Sequence, residues 1–280
     1  MNENLQNIND FLETKLAEIS IDDESKANIK KKIKDFFDII KRYFKDIRGY
    51  AFGGSFDRYT SIPSYFDIDL YCIFTYNSIK SLSGINLRNK LMNILRQLET
   101  DDDEDLTPYY VQVKSQNKYY HSIPIILDNI KIDFLAAVEI PNKPNTYYIP
   151  NGDKIEESSP ILIQEKVQNF NKQTNGMGTK LIRLLKLWNY THGKHLKSYQ
   201  LELLCCFIFI DRNKAKKFDS LKRGIEIFMD KGFNYIQMKE TSFVKGMLDS
   251  NISYEAINQF REAKELILNK RWDKLFVKDT

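Results

Sequence analysis

The sequence predicts an α+β protein of two lobes, a mixed-sheet lobe followed by a helical lobe, with a long amphipathic helix near the N-terminus bracing the sheet. Three observations predict this. Apolar residues recur at helical spacing from about Lys26 to Ile47, branched and aromatic runs typical of strands fill much of the stretch from Tyr50 to Val138, and beyond Pro160 every periodic segment is helical. A chain of 280 residues has core enough for two modest lobes.

Each element follows from local pattern. Ile29, Ile33, Phe36, Phe37, Ile40, Tyr43, Phe44 and Ile47 form one apolar stripe with lysines between them, which makes the bracing helix. Tyr50-Ala51-Phe52 reads as a short strand running into Gly53-Gly54-Ser55. Phe66 to Phe74 is a second strand and Asn86 to Leu98 a helix. Tyr109–Val113, Ser122–Leu127 and Lys131–Val138 are β-like by their branched and aromatic content. Between them, Asp101-Asp102-Asp103-Glu104-Asp105 lacks the glycine turn and spaced ligands of a calcium loop and reads as a solvated loop. The prolines, asparagines and glycine from Pro141 to Gly152 suggest a connection between lobes. The expected division is therefore 1–150, sheet lobe with its N-terminal helix, and 151–280, helical lobe. Helices are expected over Ile161–Phe170, Gly178–Tyr190, Tyr199–Ile210, Ser220–Phe228 and Tyr254–Leu268.

Composition removes several classes of function. No apolar run approaches the roughly 20 residues of a membrane span, and Met1-Asn2-Glu3-Asn4 lacks the basic and apolar regions of a signal peptide, so a cytoplasmic address is expected. Cys72, Cys205 and Cys206 are odd in number and sit in apolar surroundings, which suits buried thiols better than a disulfide frame or a zinc site. A net charge of +4, from 42 basic and 38 acidic residues, is small for a protein that neutralises many phosphates of a long nucleic acid. None is required on this reading.

The chemistry concentrates in an ordered set. Asp67 and Asp69 are two residues apart on a strand, so both carboxylates point to one side while Ile68 and Leu70 point to the other. Asp133, between Ile132 and Phe134, would join them from a neighbouring strand. Three carboxylates repel one another unless a proton or a divalent cation neutralises them. Magnesium, a hard cation that prefers oxygen ligands and leaves positions for phosphate and water, is the expected filler as two ions, with manganese as a substitute. Before the acids, Gly53-Gly54-Ser55 lets the backbone approach a phosphate closely. A strand-to-helix turn with a serine cap would look the same in isolation. The order of glycine turn, paired acids and third acid is what makes the set specific.

The second half offers cations. Lys180, Arg183 and Lys186 cover one arc of a helix whose apolar face is Leu181, Leu184, Leu185 and Trp188. A solvated basic face is the simpler account, and charge compensation for a bound triphosphate is the functional one. After Lys197, Ser198 opens the next helix, as its N-cap or with its hydroxyl on a phosphate, and the Tyr199 ring is suited to stacking on a base.

Taken together, Gly54-Ser55-Phe56-Asp57-Arg58-Tyr59-Thr60, Asp67-Ile68-Asp69-Leu70, Ile132-Asp133-Phe134, Leu181 to Trp188 and Lys197-Ser198-Tyr199-Gln200-Leu201-Glu202-Leu203 resemble the polymerase-β-like nucleotidyltransferases. Within them the pattern is most similar to the bacterial cGAS/DncV-like enzymes, the CD-NTases, relatives of animal cyclic GMP–AMP synthase and oligoadenylate synthase. The resemblance implies a two-lobed fold with an oligoadenylate-synthase-like helical lobe. It implies that Asp67, Asp69 and Asp133 are the catalytic, metal-binding triad and that Gly54 and Ser55 grip phosphate. It places Lys186 and Ser198 on the triphosphate and Tyr199 against a base. It also implies nucleoside triphosphate substrates, a cyclic product in anti-phage (CBASS) signalling, and a separate effector protein that reads the product. The chain departs from the animal synthase in having no His/Cys zinc insertion: His192 and His195 lie in a short turn with Gly193 and no nearby cysteine, and read as surface turn residues. The rivals are a nucleotidyltransferase that modifies a tRNA or protein acceptor, and a catalytically silent nucleotide-binding scaffold.

Overall fold

The computed structural model describes residues 3–62, 67–76, 83–100, 111–113, 121–209, 218–238 and 254–277. The acidic run Asp101–Asp105, and Phe66, Tyr109, Tyr110 and Ile210 at the ends of expected elements, lie outside them.

The chain divides into two compact units. One comprises 21–57 and 66–162, the other 1–20, 58–65 and 163–280. A single cut near residue 150 does not describe this. The first twenty residues belong with the helical unit because helix α1 (Glu3–Glu18) adds Leu12 and Leu16 to that unit's core. The chain breaks after it at Asp22, whose carboxylate accepts the Ser25 N–H at 2.6 Å and caps helix α2 (Asp23–Tyr43).

The sheet unit is built on α2. Its Ile33, Phe36, Phe37 and Ile40 are buried at the spacing of one helix face. Strand β1 (Ile47–Phe52) follows, then a single helical turn, α3 (Gly54–Asp57), and strand β2 (Ile68–Phe74). After helix α4 (Gly84–Thr100) come β3 (Val111–Val113), β4 (Ser122–Leu127), β5 (Ile130–Glu139), β6 (Tyr147–Asn151) and β7 (Lys154–Ser158). The strand order is β1-β2-β5-β4-β3, and the C-terminal end of β5 pairs with β6, which pairs with β7. β2 and β5 run parallel, and every other pair is antiparallel. The mixed sheet is thus as expected.

Pro141 to Gly152 is not an inter-lobe connection. Asn142 and Asn145 take positive φ in a turn, and Gly152 (φ 61°) sits at the tip of the β6–β7 hairpin, where Asn151 pairs with Lys154. The residues that looked like a hinge are there because tight turns need left-handed backbone. The chain leaves the sheet unit near residue 162, within helix α5 (Pro160–Gln173).

Alternation divides the sheet's two faces. Ile68, Leu70, Cys72 and Phe74 of β2 and Ile132, Phe134, Ala136 and Val138 of β5 point into the core shared with α2 and α4. Phe134 lies between the two aromatics of α2: its ring stacks on Phe37 at 5.7 Å and meets Phe36 edge-on at 6.3 Å. The opposite face carries a smaller cluster of Tyr71, Ile73, Leu135, Ala137, Tyr147 and Ile149.

The helical unit contains, besides α1, the bulk of α5, α6 (Met177–Thr191), α7 (Ser198–Phe209), α8 (Leu221–Met238) and α9 (Tyr254–Leu268), closed by a 3-10 turn at Trp272–Phe276. Trp188 of α6, fully buried, packs edge-on to Phe260 of α9 at 5.0 Å. All three cysteines are buried free thiols, and burial pushes Cys206 up to about 12. No helix among the described residues is long and apolar enough to cross a membrane.

Phe134→Ala should cost about 3–5 kcal/mol, because a fully buried ring leaves a cavity that its neighbours fill only in part. A urea titration followed by far-UV circular dichroism should show the midpoint fall.

Candidate active site

The parallel ladder between β2 and β5 sets Asp69 directly opposite Asp133, with Ile68 opposite Ile132 and Leu70 opposite Phe134. Register partners in a parallel pair share a face, so the two carboxylates are neighbours on the side away from the main core. Asp67 stands two residues before Asp69, just ahead of β2, and Lys131 two residues before Asp133. The Lys131 ammonium reaches Asp67 Oδ1 at 2.6 Å. Lys131 is a residue that the sequence reading passed over, although alternation along the strand already places it on the same face as Asp133.

Burial, reinforced by the charge of Asp67, raises the Asp133 carboxyl above the usual carboxylate range, and Lys131 opposes the shift. Its environment therefore favours the protonated form.

The glycine turn comes against these acids through β1. Phe52 pairs with Leu70, and the Gly53 N–H donates to the Asp69 carbonyl at 2.9 Å. Gly54 then takes φ +64°, and a Cβ there would stand 1.6 Å from Asp69 Oδ2. The Asp69 carboxylate thus lies on the bare Cα of Gly54, and no other residue fits. Two lysines of α2 hold the turn from behind: Lys26 lies over the Phe56 ring at 5.1 Å, and Lys30 pairs with Asp57 at 2.8 Å. The bracing helix steadies the turn as well as the sheet.

Carboxylate oxygens on adjacent strands are the donor type that magnesium or manganese takes. The backbone places Asp69 and Asp133 on one rung of the ladder for it. The side chains are not gathered round one point, however. Asp67 is engaged by Lys131, and among the described residues no three His, Cys, Asp or Glu side chains are grouped to hold an ion. The donor set fits the metal in kind and in backbone placement.

The remaining expected residues belong to the helical unit. Lys186 is not on a solvated basic face: it is 3% exposed, with its ammonium 2.6 Å from Glu202 Oε1 and donating to Thr60 Oγ1 at 3.1 Å. Glu202 Oε2 accepts from Arg58 Nε at 2.7 Å, and Thr60 Oγ1 donates to Oε1. Burial alone would raise the Glu202 carboxyl, but Lys186, Arg58 and the hydrogen bonds outweigh it and hold the group below its ordinary range; burial lowers Lys186 against the pull of Glu202. Lys180 pairs with Glu13 at 2.9 Å in the open, and Arg183 donates to Ser20 Oγ at 2.6 Å.

Lys197 rather than Ser198 is the N-cap of α7. The Lys197 carbonyl accepts the first helical N–H, from Leu201 at 3.1 Å, and the Gln200 side chain reaches back to the Lys197 N–H at 2.9 Å. Ser198 and Tyr199 are half-buried in the first turn, with Lys197 Nζ 5.9 Å from the Tyr199 ring centre. His192 ends α6, its Nδ1 2.9 Å from the Trp188 carbonyl, and His195 lies over Gly193. Sequence reasoning missed Glu202 as well. The one signal available was a lone acid in the otherwise apolar run from Leu201 to Phe209.

A mixed sheet with paired acids beside a glycine turn, accompanied by a helical unit, is a fold shared with solved cyclic dinucleotide synthases. No family model matches the sequence, and no curated protein matches it in sequence. Solved structures do. Similar structures include CdnC of E. coli MS115-1 in its complex with HORMA-deltaN (TM-score 0.66, 12% identity, 98% of this chain and 90% of that one). Another is the CdnE cyclic dinucleotide synthase of Elizabethkingia meningoseptica with GTP and Apcpp (0.62, 13%, 85% and 91%). A cytoplasmic RNA terminal U-transferase is matched over 98% of this chain and 99% of its own (0.62, 13%). At these identities the likeness is one of fold.

Two substitutions probe the site without reference to activity. A carboxyl raised in the folded state favours folding below its unfolded value of about 4, and that advantage is lost as pH rises through the raised value. Asp133→Asn should therefore raise the melting temperature at neutral pH and change it little at pH 3. Gly54→Ala combines left-handed backbone, worth about 1–2 kcal/mol, with the overlap against Asp69. Its loss of stability in urea should exceed that figure.

Proposed function

We propose that the chain is a nucleotidyltransferase that joins nucleoside triphosphates into a cyclic di- or trinucleotide with release of pyrophosphate. The observation that carries this reading is the Asp69–Asp133 rung, with Asp67 alongside and the Asp69 carboxylate seated on Gly54 of the turn. The CdnE structure with GTP and Apcpp supports nucleoside triphosphates as substrates.

Asp67, Asp69 and Asp133 would hold the magnesium ions, which when bound would neutralise the triphosphate and acidify the attacking ribose hydroxyl. Asp133 is the candidate acceptor of that hydroxyl's proton, or the group that orients the acceptor. The Gly53 N–H is occupied by the Asp69 carbonyl, so the N–H groups of Gly54 and Ser55 grip the phosphate. Lys131 partly offsets the charge of Asp67. By the family resemblance, Ser198 would contact triphosphate and Tyr199 a base. A second attack, with both ends of the linear intermediate held in one site, closes the ring. By the family resemblance, the product is a second messenger of CBASS defence, read by a separate effector protein.

One observation favours a second reading. The likeness to the RNA terminal U-transferase spans nearly all of both chains, which supports transfer of a nucleotide to a macromolecular acceptor by the same carboxylates.

Incubation with the four labelled triphosphates and magnesium separates the two. A phosphatase-resistant product made without an acceptor supports the synthase, and turnover only on added RNA or protein supports the transferase. Asp69→Asn should keep the fold and lower pyrophosphate release by on the order of 100-fold or more, since several kcal/mol of charge stabilisation is removed. Near-normal turnover in that variant would sink both.

A further inference from the structure

Directly after the glycine turn the backbone does something costly. Tyr59 takes φ +60° although its side chain is 53% exposed and its residue type does not favour left-handed backbone. Such a conformation persists only where its surroundings over-determine it. Here both flanking residues are tied to one carboxylate. Arg58 Nε donates to Glu202 Oε2 at 2.7 Å, and Thr60 Oγ1 donates to Glu202 Oε1. Arg58 is 7% exposed, Thr60 and Glu202 are 0% exposed, and Lys186 supplies a second buried cation at 2.6 Å.

Nothing in α7 asks for a carboxylate at position 202. Its neighbours Leu201, Leu204, Cys205, Ile208 and Phe209 form an apolar core, where an acid is tolerated only when paired and hydrogen-bonded. Glu202 is paired on both oxygens, and two of its partners bracket Tyr59.

We propose that Glu202 is a positioning residue: by clamping Arg58 and Thr60 it holds the left-handed kink at Tyr59 and thereby fixes the course of the chain four residues after Ser55 of the phosphate-gripping turn. Asp57, the residue before the clamp, is itself paired with Lys30 at 2.8 Å. The link to nucleotide binding rests on the proposed function; the clamp on the kink does not.

The test uses the fact that glycine takes left-handed backbone without strain. Arg58→Met, Arg58→Met/Tyr59→Gly and Arg58→Met/Tyr59→Ala are compared in the full-length protein by melting temperature and by the KM and kcat for triphosphate in pyrophosphate release. Arg58→Met should lower the melting temperature and raise KM by about tenfold. Adding Tyr59→Gly should recover at least a third of the lost melting temperature and most of the KM, whereas adding Tyr59→Ala should recover neither. Equal behaviour of the glycine and alanine variants overturns the proposal, because a buried charge pair alone is indifferent to residue 59. Recovery of melting temperature with no recovery of KM also overturns it, by reducing the clamp to a structural contact. Should Arg58→Met not fold, Arg58→Lys carries the same series, keeping the charge and losing the Nε donor. If the unaltered protein releases no pyrophosphate, the function reading fails. The clamp is then decided by glycine rescue of the melting temperature alone, whose absence overturns it.

Discussion

The register of β2 against β5 is the constraint on which the candidate site depends. Two acids on one rung of a parallel ladder is an arrangement that electrostatics opposes. What enforces it is the other face of the same strands. Ile68, Leu70, Cys72 and Phe74, with Ile132, Phe134, Ala136 and Val138, fill the core beneath α2 and α4. A slip of one residue would turn all of them to the opposite side. The apolar face fixes the register, and the register brings the carboxylates together whatever their charge.

The glycine turn is governed by the same sheet. β1 delivers Gly53 to the Asp69 carbonyl, and the Asp69 carboxylate then needs the space above Gly54. The glycine thus serves the acid as much as any phosphate. Lys26 and Lys30, on the polar flank of a helix whose other flank packs on the sheet, hold Phe56 and Asp57. One helix therefore supports the floor of the site and the turn beside it.

The helical unit shows charge used in the opposite way. Glu202 and Lys186 are sealed in a core of leucines and aromatics, where their pairing is effective because water is excluded and every partner is in place. A basic arc on a helical wheel does not reveal this. Of its three cations, Lys180 is in the open with Glu13, Arg183 meets Ser20, and Lys186 is buried. The same spacing produced three environments, because position on a helix fixes direction but not what the helix meets.

What the sequence determined is whatever rests on local period. The helix from Asp23, the strands at Ser122–Leu127 and Ile130–Glu139, the helices after Pro160 and the glycine turn all follow from neighbours within a few residues. Period also misled where a local signal had two causes: the asparagines and glycine of 142–152 mark hairpin turns inside the sheet rather than a boundary between units. Only the tertiary structure decided which strand meets β2, that Lys131 engages Asp67, that α1 belongs with the helical unit, and that Arg58, Thr60 and Lys186 converge on Glu202 across 144, 142 and 16 residues of chain. The reason is physical. Local pattern records which way a side chain points, whereas the worth of a charge depends on the partners and the dielectric it meets, and those are set only when distant segments close around it.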